Sequence, residues 1–286
     1  MLRSTCCLLL SVGLLLICRP AHAQERGDQL PRVSPNASVT QTIGLTNVAV
    51  SYGRPSMRGR TIFGELVPYG AVWRTGANEA TTISFSTPVQ IKGQSLAAGT
   101  YALFTIPRSN TWTIIFNRQA KQWGAYNYDK AEDALRVDVT PQSGVTREMF
   151  TVTFTDVSST EGTLMLHWSD VRVPVPLSVD TPALLAARAA QAIDESTDWQ
   201  VPLQYAAYAL SNDLMPETAL QWAEASIARA PHFQNLAVKA RLLAQLERYE
   251  AAVAAAERAL TQAEQASEPP RGVEGLRNDL QSWKQS

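Results

Sequence analysis

The sequence predicts a two-part β + α chain: an antiparallel β-sandwich followed by an all-α domain of tetratricopeptide-like helical hairpins. Three observations carry this expectation. From residue 38 to 179, apolar and polar residues alternate in short runs broken by turn residues. Near residue 180 the period changes and the chain becomes alanine-rich. Within that second half, small residues recur at a spacing of 33, close to the tetratricopeptide period.

The N-terminus reads as an export signal over residues 1–23. Arg3 supplies a positive charge, and Leu8 to Ile17 is an apolar run of about ten residues, too short to span a bilayer as a mature helix. Ala21-His22-Ala23 forms a small-residue cleavage site, which predicts a mature chain beginning at Gln24 and a periplasmic or extracellular protein. Lipidation at Cys18 is disfavoured, because Leu16 and Ile17 precede it where a lipobox needs a small residue. No later segment is apolar enough to be a transmembrane helix. A linker over 24–37 leads to the β domain, 38–179, and the helical domain occupies 180–286.

The β elements follow in order. Val48, Val50 and Tyr52 alternate with polar or small neighbours, as do Ile83 and Phe85. Val89 and Ile91 run into a Lys92-Gly93 hairpin signal, and Gly99 opens the run Thr100 to Ile106. Trp112, Ile114 and Phe116, then Leu135, Val137 and Val139, then Phe150, Val152 and Phe154 continue the pattern. Glu161-Gly162 marks a hairpin into Leu164–Trp168, followed by a separate run Val171, Val173, Val175 and Leu177. Pro174 and Pro176 in that last run suit an edge strand. Eight or nine short strands of this kind fit a sandwich or barrel.

Asp180-Thr181-Pro182 is a helix start, a capping acid with proline in the first turn. Helices are expected over about 182–195, 200–211, 216–229, 233–246, 249–266 and 272–284. Ala219, Ala223 and Ile227 are echoed by Ala252, Ala256 and Leu260, which lets neighbouring helices pack closely. A plain α-hairpin bundle is the alternative to a short repeat array.

Composition excludes several functions. Cys6, Cys7 and Cys18 all lie in the leader, so the mature chain has no thiol for a disulfide, a nucleophile or a thiolate metal site. Only His167 and His232 remain after His22 is removed, and both read as packed or capping residues. About 23 basic and 26 acidic residues remain, a net charge near −3 that offers no footprint for nucleic acid. No metal site is expected, since Asp129, Glu132 and Asp133 do not match a calcium-loop spacing. No cofactor fingerprint is present.

The candidate site residues lie in three loops. Gly53–Arg60 carries Arg54, Arg58 and Arg60, whose guanidinium forks suit carboxylates, phosphates or sugar hydroxyls, or structural bridges to Glu65 or Glu79. Trp73-Arg74-Thr75-Gly76-Ala77-Asn78-Glu79 combines a flat apolar face with a cation, an amide and a carboxylate. Trp123-Gly124-Ala125-Tyr126-Asn127-Tyr128-Asp129 interleaves aromatics with polar groups like a binding rim. The candidate ligand-binding residues are Arg54, Arg58, Arg60, Trp73, Arg74, Asn78, Glu79, Trp123, Tyr126, Asn127, Tyr128 and Asp129. Glu79 and Asp129 are the candidate acid–base pair for catalysis, chosen among many available acids. Ser56 lacks a nucleophile elbow.

These loops also carry a family resemblance. Tyr52-Gly53-Arg54-Pro55-Ser56, Gly59-Arg60 with Ile62-Phe63-Gly64, Leu66–Gly70 and Val72–Thr81 occur in order. They are followed by Ala98–Tyr101, Trp112–Asn117 and Trp123–Tyr126. Over roughly 36–179 the chain resembles the bacterial envelope family known as domain of unknown function 2911. The resemblance implies an exported β domain, and the helical tail resembles an extension often attached to it. It implies no activity and no catalytic residues.

The expectation that follows is a non-catalytic binding or scaffold protein. Its three loops converge on one face to hold a polar small molecule or glycan, a saccharide or cell-wall fragment, and residues 182–284 contact a protein partner. The rivals are an envelope hydrolase of glycan or peptide using Glu79 and Asp129, and a purely structural protein in which the motif residues are clamps.

Overall fold

A computed structural model describes residues 30–286. The leader, its cysteines and the Gln24 start lie outside the described residues. The chain divides into two compact units at Val179 and Asp180.

The first unit holds ten strands: β1 (Asn36–Ile43), β2 (Thr46–Gly53), β3 (Thr81–Phe85), β4 (Val89–Ile91), β5 (Gln94–Leu96), β6 (Gly99–Ile106), β7 (Trp112–Asn117), β8 (Asp133–Val139), β9 (Gln142–Thr155) and β10 (Glu161–Ser178). They form a six-stranded sheet, β1-β2-β3-β6-β7-β8, and a four-stranded sheet, β5-β4-β10-β9, with every recorded pairing antiparallel. Side chains of period two from both sheets meet in one core, among them Val48, Val50, Ile83, Leu103, Ile114 and Phe116 from one and Phe150, Val152, Leu164, Leu166 and Trp168 from the other.

The large sheet is covered on its other face as well. Ala80, Ala102, Phe104, Ile106 and Ile115 form a second buried cluster, roofed by Val72, Ala125 and Tyr128. Two candidate loops therefore lie over the outer face of β6 and β7. Burial on both faces is why these strands read as nearly continuous apolar runs.

Two strand expectations change. The runs 164–168 and 171–177 belong to one strand, β10, with register shifts on either side of Ser169, whose φ is 53°. Nor is β10 an edge strand, because it lies between β4 and β9. The prolines fall in a gap between partners: pairing with β9 ends at Arg172 and pairing with β4 begins at Leu177. The Pro176 carbonyl still accepts from the Lys92 amide at 3.0 Å.

The second unit is six helices: α1 (Thr181–Glu195), α2 (Gln200–Ser211), α3 (Pro216–Arg229), α4 (Phe233–Gln245), α5 (Tyr249–Glu264) and α6 (Val273–Trp283). The Asp180 side chain caps α1, accepting from the Ala183 amide at 3.0 Å. Consecutive helices pack together and α2 also packs on α4, the arrangement of stacked hairpins. The repeat alanines Ala219, Ala223, Ala252 and Ala256 are fully buried, so their small size sets the close helix approach. A buried polar chain supports the junction: Asn235 donates to Ser226, which donates to the Trp199 carbonyl. His232 stacks on Trp199 with ring centroids 4.0 Å apart. None of the described helices is long and apolar enough to cross a membrane.

Candidate functional site

The three loops are tied to one another through backbone. The first meets the second at Gly53, whose carbonyl accepts from the Ala77 amide at 3.2 Å. A Cβ on Gly53 would lie 2.2 Å from the Ala77 carbonyl oxygen, so only glycine permits this approach. The second meets the third through a Glu79–Trp123 bridge and through Gly124 and Ala80, whose amides donate to the Asn78 and Gln122 carbonyls.

Trp73 is chiefly a core residue. Its ring stacks on Trp168 at 5.9 Å and 20°, and meets Phe150 and Phe63 edge to face. Its indole N–H donates to the Gly76 carbonyl at 3.1 Å, closing the turn that presents Arg74.

Several expected ligand contacts are spent inside the protein. The Arg54 guanidinium donates to the Phe150 carbonyl at 3.0 Å and to Thr151 at 2.9 Å, joining the loop to β9. The Glu79 carboxylate accepts from Arg32 at 2.7, 3.0 and 3.0 Å. Asn78 donates to the Ser34 carbonyl at 3.1 Å, and the Arg54 amide donates to the Pro35 carbonyl at 2.8 Å. Asn78 and Glu79 thus hold the N-terminal segment Arg32–Pro35 as a strap. The sequence placed that segment in a linker, and it suggested the loop arginines Arg54, Arg58 and Arg60 as partners for Glu79. The bridge to Arg32 spans 47 positions, which no local motif announces.

The third loop divides similarly. Tyr128 packs its ring on Phe104 and its hydroxyl between Asp133 and Arg136. Burial, then the hydrogen bond to Asp133, pushes its phenol above the ordinary range. Asp129 accepts from the Ala131 amide at 2.9 Å and caps the short 3-10 turn Lys130–Glu132. Glu79 and Asp129 are therefore both occupied, one by an arginine and one by a cap. Trp123, Tyr126 and Asn127 are exposed, Tyr126 to 83 %.

The remaining residues form a cavity of about 240 Å³ between the first two loops and the strap. Its lining includes Arg58, Arg60, Arg74, Trp73 and Trp168, with Val33 and Ser34 from the strap. Trp168 and the strap were not among the sequence candidates. Arg74 is half-buried, and its Nε is fully enclosed with no acceptor among the described residues. An unmatched buried donor costs about 1–3 kcal/mol. Burial lowers the Arg74 pKa, and the nearby Tyr126 hydroxyl partly opposes that shift. Arg60 donates Nε to the Met57 carbonyl at 2.8 Å and Nη2 to the Ser56 carbonyl at 2.7 Å. Arg58 holds its place through its backbone, whose amide donates to the Glu148 carboxylate at 2.8 Å.

The histidines serve structure. His167 Nε2 contacts the Val145 carbonyl at 2.9 Å, and Arg147 donates to its Nδ1 at 3.0 Å. Among the described residues no group of histidines or carboxylates could hold a metal ion.

Residues 34–177 match the family model described as Protein of unknown function (DUF2911). No curated protein matches the chain, and no solved structure does.

Proposed function

The chain belongs to that family, and we propose that it is an exported ligand-binding protein whose site is the cavity between the Gly53–Arg60 and Trp73–Glu79 loops. One observation carries this reading: the cationic side chain of Arg74 lines the cavity, and its guanidinium ends on no acceptor among the described residues. A purely structural clamp would end on a partner, as Arg54 and Arg32 do. The occupant is a polar small molecule, and the exposed Trp123 and Tyr126 form an aromatic surface on the loop beyond. The hydrolase reading loses support, because Glu79 is committed to Arg32 and Asp129 to a helical cap.

The helical unit is the protein-partner surface in this proposal, since stacked hairpins present extended faces suited to that task. Export and cleavage before Gln24 complete it, and the intact mass of the secreted chain tests them.

The site is tested by capture from envelope extract with the chain 24–286, read by mass spectrometry for proteins, glycans and small molecules. A low-mass ligand retained by the parent and lost in Arg74→Gln, with unchanged near-ultraviolet dichroism, is the expected result. Identical capture by parent and variant would overturn the placement.

A further inference from the structure

Resting on that cavity as the binding site, the geometry points to the chemical class of its ligand: we infer an oxyanion, a carboxylate or phosphate group, held by Arg58, Arg60 and Arg74. The argument is one of matching donors to acceptors. Sugar hydroxyls need acceptors as well as donors, and the two side-chain acceptors expected from the sequence, Glu79 and Asn78, do not line this cavity. Glu79 accepts from Arg32 instead, and Asn78 donates to the Ser34 carbonyl of the strap. Among the described residues no carboxylate lines the cavity. The charged side chains among them are guanidiniums, which only donate.

The three arginines retain donor capacity. The Arg74 guanidinium forms no hydrogen bond to another described residue, and Arg60 keeps Nη1 after its two carbonyl contacts. The Arg58 guanidinium forms no hydrogen bond to another described residue. Three cations facing one space, with no carboxylate lining it among the described residues, repel one another, and an anion relieves that repulsion while filling the unmatched donors. Trp73 and Trp168 offer apolar wall for the rest of the ligand. The cavity has the volume of about eight waters at roughly 30 Å³ each, which suits a small organic acid or phosphoester.

The experiment follows the arginine Nε–H resonances of the full mature chain while inorganic phosphate, acetate or sodium chloride is added at matched ionic strength. Galacturonate and glucose 6-phosphate are then compared with galactose and glucose by calorimetry. The expected result is a saturable shift of the Arg74 resonance by phosphate or acetate, with Kd on the order of 1 mM, and no such shift by chloride. Which of the two acts identifies phosphate or carboxylate as the group. The charged sugar derivative should bind at least about tenfold more tightly than its neutral parent. Arg74→Gln should weaken binding roughly 10- to 100-fold. Arg58→Gln, at an exposed side chain that leaves folding intact, should weaken it less.

Neutral sugars binding as tightly as their charged derivatives would overturn the oxyanion while leaving the cavity as the site. Anion binding that survives both variants would place the anion elsewhere and overturn the inference. No Arg74 shift with any anion would overturn it as well, and the capture experiment then decides separately whether the cavity binds anything.

Discussion

Glu79→Gln should loosen the N-terminal strap without unfolding the β unit. The Glu79 carboxylate is nearly enclosed and takes three hydrogen bonds from Arg32. Hydrogen bonds to charged groups contribute about 1.5–3 kcal/mol each in favourable settings. The Arg32 side chain is 22 % exposed, so water screens and competes for it, and the whole pair is better set at about 2 kcal/mol. Glutamine keeps one acceptor and turns the other position into a donor facing a cation. An opening free energy reduced by about 2 kcal/mol raises the open population roughly thirtyfold. Trypsin supplies the readout, because the Arg32–Val33 bond lies within the strap and cleavage tracks the open population when reclosing is fast. Mass spectrometry should show cleavage there accelerating by about that factor. Asn78→Ala, which removes one neutral bond to Ser34, should accelerate it about fivefold. Unchanged cleavage in Glu79→Gln beside faster cleavage in Asn78→Ala would refute the assignment, leaving the Ser34 and Pro35 backbone contacts as the fastening.

Three further outcomes follow from the packing. Gly53→Ala should destabilise the β unit by about 1–3 kcal/mol, because its Cβ would meet backbone at 2.2 Å; the urea midpoint by near-ultraviolet dichroism checks it. Trp73→Ala should cost about 3–5 kcal/mol by removing the ring that joins Phe63, Phe150 and Trp168, measured on the same transition. Burial, with Arg147 and Arg172 adding to it against the Val145 hydrogen bond, lowers the His167 pKa. The folded state thus prefers neutral imidazole, so stability is full above the unfolded value near 6.5 and falls as pH drops through it toward the folded value. Urea midpoints at pH 7.5 and about 5 should differ less in His167→Gln than in the parent.

Regular elements were legible because their period is local. Val48, Val50 and Tyr52 announce a strand in five residues, and Asp180 with Pro182 announces a helix in three. The unity of β10 was not, because Ser169 and Asp170 interrupt the apolar pattern where a bulge lets the strand continue. The candidate site was half legible. Composition located the loops, and the structure brings them together. Composition does not tell whether an amide or carboxylate faces a ligand or a neighbouring chain segment. Asn78 and Glu79 looked like ligand contacts, yet they hold a strap whose key residue, Arg32, lies in a stretch with no pattern of its own. Trp168 was visible as a strand residue but not as cavity wall, since that depends on which sheet faces which.

The two prolines of β10 have a consequence for how copies of this chain behave toward one another. Alternate residues of a strand direct their backbone groups to the same side, so Pro174 and Pro176 both lack a donor along one flank. It is the flank toward β4, where the neighbouring strand has already turned away at Lys92-Gly93. An uncovered flank of a long β-strand is otherwise a template on which a second molecule can add its own strand. With the donors of Pro174 and Pro176 deleted, an incoming strand would find only carbonyl acceptors there, one of them already taken by the Lys92 amide, and strand addition on that stretch is disfavoured.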